Sequence, residues 1–284
     1  MTTNVLIAFY STYGHVHRMA LAVAEGAESV RDSTVRLRRI PELEEARKAL
    51  SAQDAYVRAQ QAQADIPVVT HDDLRWADGI AWGTPTRYGN MSAQMKQFVD
   101  TTGGLWLKGE LEDKATGIFT STGTIHGGQE TTILTALVPL IHLGMVFVGT
   151  PYGQNPQILV TDGIGGSPYG PSTLAGTDGS RQPVEAELTT ARNLGSRLAR
   201  IAGCCARDVS GHAAAAPPMS AMNARRFIRS PNGFPSYGVA ALLTLRSLRR
   251  PATRARRLPR LRAVMSSAST GCREPSVPAR VLGP

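Results

Sequence analysis

Three short segments concentrate the residues that could hold an anion and a flat ligand. The first is Ser11-Thr12-Tyr13-Gly14-His15-Val16, where hydroxyls and a glycine stand directly before a helical pattern. Backbone N–H groups at a helix start, helped by hydroxyl donors, make a phosphate site. Neither the GxGxxG of dinucleotide folds nor the GK[ST] ending of a P-loop occurs here, so the pattern points to a single terminal phosphate. A capped helix start is the plainer reading of the same residues. The second segment is Gly83-Thr84-Pro85-Thr86-Arg87-Tyr88-Gly89-Asn90-Met91-Ser92, which joins backbone-restricting residues to an aromatic and a guanidinium. The third, Ser121-Thr122-Gly123-Thr124-Ile125-His126-Gly127-Gly128-Gln129, is glycine-rich enough for backbone to approach a ligand closely. Together they suit a planar, hydrogen-bonding ring system carrying one phosphate, and FMN is such a molecule. A phosphatase would need a Cys in the first segment, and no Ser/His/Asp set or Cys nucleophile is apparent. The sequence therefore assigns no catalytic side chain, and a cofactor would carry the chemistry.

These segments need a scaffold that brings them to one edge. The first 200 or so residues alternate short apolar runs with helical patterns, the signature of a parallel α/β sheet. Val5–Tyr10 is a continuous apolar run, as in a strand covered on both faces. A helix is expected from about Val16 to Val30 and a second strand over Thr34–Arg39. Residues 41–70, charged and Gln/Ala-rich, read as an exposed insertion with partial helix. Further strands are expected at Ile80–Trp82, Ala115–Phe119 and Met145–Val148. Helices should follow Asn90 or Ser92 (either could cap), run over Glu130–Leu143, and close the domain over Val184–Ala202, after a Gly/Pro-rich loop from Gly149 to Ser180. Five strands with intervening helices predict a doubly wound parallel sheet, which binds ligands at the carboxyl ends of its strands.

Charge divides the chain. From Cys204 onward there are 14 Arg, no Lys and 2 acidic residues, a net of +12 against +9 for the whole chain, so residues 1–203 carry −3. The high pI belongs to the tail, and the body gives no charge-based reason to expect nucleic acid. The tail also holds 9 of the 18 prolines, and such a composition predicts disorder over 204–284. It reads either as a basic arm for nucleic acid or an anionic membrane, or as an unselected extension of the kind that out-of-frame translation of GC-rich DNA would give. All three cysteines (Cys204, Cys205, Cys272) lie in it, with no metal-ligand spacing and no disulfide framework, which fits a cytoplasmic setting. MTTNVLIAFY reads as a strand and not as a signal peptide, and no apolar run nears the roughly 20 residues of a membrane span.

The segments GTPTRYGNMSAQMKQF, TGGLWLKGELEDKATGIFTSTG, HGGQETTI and SPYGPSTLAGTDGSRQP resemble the WrbA family of flavodoxin-like NAD(P)H:quinone oxidoreductases, over about residues 3–203. The resemblance implies a flavodoxin-like fold with FMN as cofactor. It implies that Ser11 to Val16 hold the FMN phosphate, with Thr86, Arg87 and Tyr88 along one side of the isoalloxazine and Ser121, Thr122, Gly123, Thr124, Ile125 and His126 along the other. Tyr13 would help position the nicotinamide, Trp106 would wall the quinone pocket, and His142 matches a position that contacts the flavin region. Flavodoxins proper usually end the phosphate loop in Thr, where this chain has Val16. Plainer roles stay open: Trp106 as a loop anchor, His142 as a partner of a helix dipole, His126 as solvated, Arg87 as a surface charge and Tyr88 as packing.

The activity implied is two-electron reduction of quinones by NADH or NADPH in a ping-pong cycle, with hydride passing through flavin N5. A homotetramer, each pocket completed by a neighbour, is implied as well. The alternative is a flavodoxin-type electron carrier without a substrate of its own, against which the long insertion and the Trp106 loop argue. A regulator that binds nucleic acid through the Arg-rich tail is a third reading.

Overall fold

The computed structural model describes residues 2–211, and side chains for residues 2–205. Five strand positions build one parallel sheet. β1 (Thr3–Phe9) lies between β2 (Ser33–Arg39) and β3 (Gly79–Pro85), and β4 (Ala115–Thr122) follows β3. The position beyond β4 is shared by two segments. β5 (Val146–Phe147) pairs with Ala115 and Thr116 at the start of β4, and β6 (Ser172–Leu174) pairs with Thr120 to Thr122 at its end. The fifth strand is thus interrupted by residues 148–171 and then resumes. Strand order reverses between β1 and β3, which is where ligands bind in such sheets.

Alternation along β1 sends its side chains to both faces. Val5, Ile7 and Phe9 pack on one side with α1 (His15–Glu28) and α8 (Glu185–Gly211). Leu6, Ala8 and Tyr10 pack on the other with α4 (His71–Trp76), α5 (Ala93–Asp100), α6 (Gly103–Leu107) and α7 (Gln129–His142). Both faces being covered explains why β1 and β3 read as unbroken apolar runs. The doubly wound, flavodoxin-like sheet expected from the sequence is the one observed.

Several boundaries differ. Helix α8 continues to Gly211, beyond the expected end at Ala202, so helix persists past the compositional break at Cys204. The expected disorder of the remaining tail lies outside the described residues. Ser92, not Asn90, caps α5, its Oγ accepting from the Met95 amide at 3.4 Å. The 41–70 insertion holds α2 (Glu44–Leu50), which buries nothing, and α3 (Asp54–Gln61), which buries Tyr56 and Ala59. Where α1 crosses α8, Gly26 meets the Arg192 carbonyl and Gly195 meets the Val23 carbonyl, each with no room for a Cβ.

Candidate functional site

A cavity of about 860 Å³ opens at the carboxyl edge of the sheet. Loop 11–16, between β1 and α1, forms its floor. Gly14 is the N-cap of α1 with φ 94°, a left-handed conformation that glycine adopts without strain. Its amide donates to Ser11 Oγ at 3.1 Å, while no acceptor among the described residues takes the amides of Thr12, Tyr13, His15 or Val16. No side chain caps α1 and no acidic residue stands in its first turn, whereas α2, α3, α4, α7 and α8 all carry one there. The positive end of α1 is therefore left for an outside anion. Val16 offers an amide but no hydroxyl, and its side chain is buried in the same core cluster as Phe9.

The second loop reaches over the first. Arg87 donates through Nη2 to Thr12 Oγ1 at 2.9 Å and through Nη1 to the Thr86 carbonyl at 2.9 Å, which holds its charge against the loop. Thr86 is fixed by its amide bond to the Ser121 carbonyl (2.9 Å) and by Thr132 Oγ1 at 2.6 Å. Ser121, Thr122 and Gly123 at the end of β4 line the same space.

The remaining wall, Ala175–Gln182 without Arg181, is organised by Glu187, a fully buried carboxylate. It accepts from the amides of Gly165 (2.9 Å), Leu174 (3.3 Å) and Val184 (3.0 Å) and from Thr173 Oγ1 (2.7 Å), and pairs with Arg181 at 3.0 Å. The Arg181 carbonyl accepts from His15 Nε2 at 3.1 Å, which joins this wall to the first loop and fixes the Nε2–H tautomer. Burial pushes the His15 pKa below its usual 6.5, so the ring is neutral at pH 7.

Not every expected residue lies here. Ser11 to Val16, Thr86, Arg87 and Ser121 to Gly123 line the cavity, and Tyr13 stands at its rim with its hydroxyl donating to Gln53 Oε1 at 2.9 Å. Tyr88 is fully exposed at the tip of a two-residue turn, with positive φ at both Tyr88 and Gly89, closed by Arg87–Asn90 backbone bonds. Thr124, Ile125 and His126 are exposed and outside the lining. Trp106 is half-exposed on α6, also outside it. His142 sits in the last turn of α7, whose end bonds near the start of β4, at the opposite edge of the sheet. Conversely, Gln53, Arg58 and Ala59 of the insertion and Ala175–Ser180 line the cavity without having been assigned roles. The second stretch lies inside a quoted family segment; the first carries no signal, because a Gln/Ala-rich helix looks solvated.

Residues 6–157 match the model of the NADPH-dependent FMN reductase family. This chain belongs to that family. It is 53% identical over 204 residues to the NAD(P)H dehydrogenase (quinone) of Geotalea uraniireducens (strain Rf4), covering 72% of this chain and all of that one. It is 54% identical over 199 residues to the protein of the same name from Geobacter sulfurreducens, covering 70% and 97%. Among solved structures it is similar to a WrbA-like flavodoxin from Agrobacterium tumefaciens (26% identity, TM-score 0.50, covering 72% of this chain and 99% of that one). The likeness to the WrbA family read from the sequence is borne out. The cavity fits the family's flavin: unsatisfied amides and an uncountered helix start suit a phosphate, and the backbone and hydroxyls of 86–87 and 121–123 suit the edge of a flat ring.

Proposed function

We propose that this chain is an FMN-dependent NAD(P)H:quinone oxidoreductase. The reading rests on more than 50% identity to NAD(P)H dehydrogenases (quinone) across nearly their full length, joined to a cavity whose floor offers unpaired amides at a helix start. When bound, FMN would accept hydride from NAD(P)H and return two electrons to a quinone, the substrates using its exposed face in turn in a ping-pong cycle. The protein's part is binding and orientation. The amides of loop 11–16 and the Arg87 charge hold the phosphate, while Thr86 and Ser121 to Gly123 flank the ring. Tyr13, at the open rim, positions the nicotinamide.

Trp106, Tyr88, Thr124, Ile125, His126 and His142 belong in this proposal to an assembled site, a homotetramer in which neighbours complete each pocket. Supporting this, Leu134, Val138 and Ile141 of α7 form an exposed apolar stripe at helical spacing. Light scattering measures the assembly directly. No helix among the described residues is long and apolar enough to cross a membrane, and a cytoplasmic enzyme is the setting we propose. Stopped-flow mixing tests the activity. Flavin absorbance should bleach with NADH or NADPH and return with benzoquinone; no bleaching with either nucleotide would sink the reading.

A further inference from the structure

The 41–70 insertion is more than a surface elaboration. Gln63, only 3% exposed, donates through Nε2 to the Ser11 carbonyl at 3.0 Å. Gln60 on α3 donates through Nε2 to the same carbonyl at 3.0 Å and to the Thr12 carbonyl at 3.2 Å. The Ser11 and Thr12 carbonyl oxygens are thereby held toward the insertion. Each shares a planar trans peptide with the next amide, so the Thr12 and Tyr13 N–H groups point the opposite way. These are two of the amides that no acceptor among the described residues takes.

The insertion is itself anchored. Tyr56 of α3 donates to Glu42 Oε2 at 3.1 Å, and Tyr10, at the end of β1, donates to the same oxygen at 2.8 Å. Gln94 of α5 donates to Glu42 Oε1 at 2.6 Å and to the Tyr10 hydroxyl at 3.0 Å. Burial, joined by the Glu42 charge, pushes the Tyr56 hydroxyl up to about 12, so it remains a donor. Ala59 of α3 also lies close to the loop, its Cβ 3.8 Å from where a Cβ on Gly14 would stand.

We propose that Gln60 and Gln63 are positioning residues that pre-set the first loop as a phosphate cradle, excluding the flipped peptides that would present oxygen to an anion. A pre-set cradle binds more tightly because no loop ordering is left to be done on binding. The inference rests on the flavin reading above. It requires that the glutamines act on the phosphate end of the cofactor and not on its ring.

The test compares FMN with riboflavin, which has the same ring and no phosphate. Flavin is stripped from the full chain, and fluorescence-quenching titrations give both dissociation constants for the wild type, Gln60→Met, Gln63→Met and the double variant. We expect the FMN constant to rise about threefold in each single variant and about tenfold in the double one, with the riboflavin constant changed less than about twofold. Equal weakening of both ligands, or an unchanged FMN constant, would overturn the proposal. If the double variant does not fold, the ratio in Gln60→Met, whose side chain is only half-buried, decides it alone. A wild type that takes up neither flavin removes the flavin reading and this inference with it; a wild type that prefers FMN, with variants keeping that preference, removes only the inference.

Discussion

Glu187 shows how one buried side chain can shape a wall of the site. Its carboxylate collects three amides, a hydroxyl and a guanidinium from residues 165–184, and removing it strands the amides and the hydroxyl and leaves the Arg181 guanidinium only the Leu174 carbonyl. Glu187→Ala is expected to lower unfolding free energy by on the order of 3 kcal/mol, read from denaturant titration, and to loosen the wall at Ala175–Ser180. The histidines of α1 give a pH signature. Burial holds both His15 and His17 below the ordinary 6.5, so the unfolded chain takes up protons that the folded chain refuses. Stability present above pH 6.5 is therefore lost as pH falls through and below that value. Unfolding measured at about pH 7.5 and about pH 5.5 should show the loss, and His17→Leu should flatten it. Asp73 acts in a separate, more acidic window. Burial opposes its charge, but Thr70 and Arg38 outweigh burial and hold its pKa below 3.8, so its contribution disappears only as pH falls through the folded value. At this scale the sequence showed which loops matter but not which atoms. Val16 looked like a missing hydroxyl, yet its side chain sinks in the core and only its amide is left facing the cavity side of the loop, without an acceptor among the described residues.

At the scale of elements, α1 and α8 approach each other closely. Gly26 and Gly195 let the two backbones touch, so a methyl at either must push the helices apart. Gly195→Ala should cost roughly 1–3 kcal/mol, as overpacking does, with thermal denaturation as the measurement; an unchanged midpoint would mean that the crossing is slack. The main strands were legible because burial on both faces writes an unbroken apolar run. β6 was not, because three residues in a Gly/Pro-rich stretch carry no period, and only the free edge of β4 makes them a strand. Helix α4 left a readable sign, Thr70 three residues before Asp73, which the structure closes as a capping box. The far end of α8 was misjudged by composition. A change of charge does not stop a helix, and no proline occurs between Pro183 and Pro217.

For the whole molecule, the match to the Geotalea relative spans all of that protein and 72% of this chain, so more than a quarter of this chain has no counterpart in it. A chain ending at Gly211 is expected to keep its flavin affinity and quinone reduction. Loss of either would give the tail a part in the site. The separation into a mildly acidic body and a basic tail was plain in the sequence, since charge needs no fold to be counted. The partners of the insertion were not, because Gln60 and Gln63 lie about 50 residues from the carbonyls they hold and only the folded chain brings them together.

The bare start of α1 has a consequence beyond recognition. In the proposed reading, a helix without a side-chain cap of its own takes one from its ligand, so the native state gains whatever free energy the ligand gives on binding. At a ligand concentration one hundred times the dissociation constant that gain is about 2.7 kcal/mol. The melting temperature should climb with added FMN and climb less with riboflavin. In a cell, the unfolded fraction exposed to proteases would then follow the supply of cofactor, so that the amount of this protein becomes a readout of how much flavin is available to fill it.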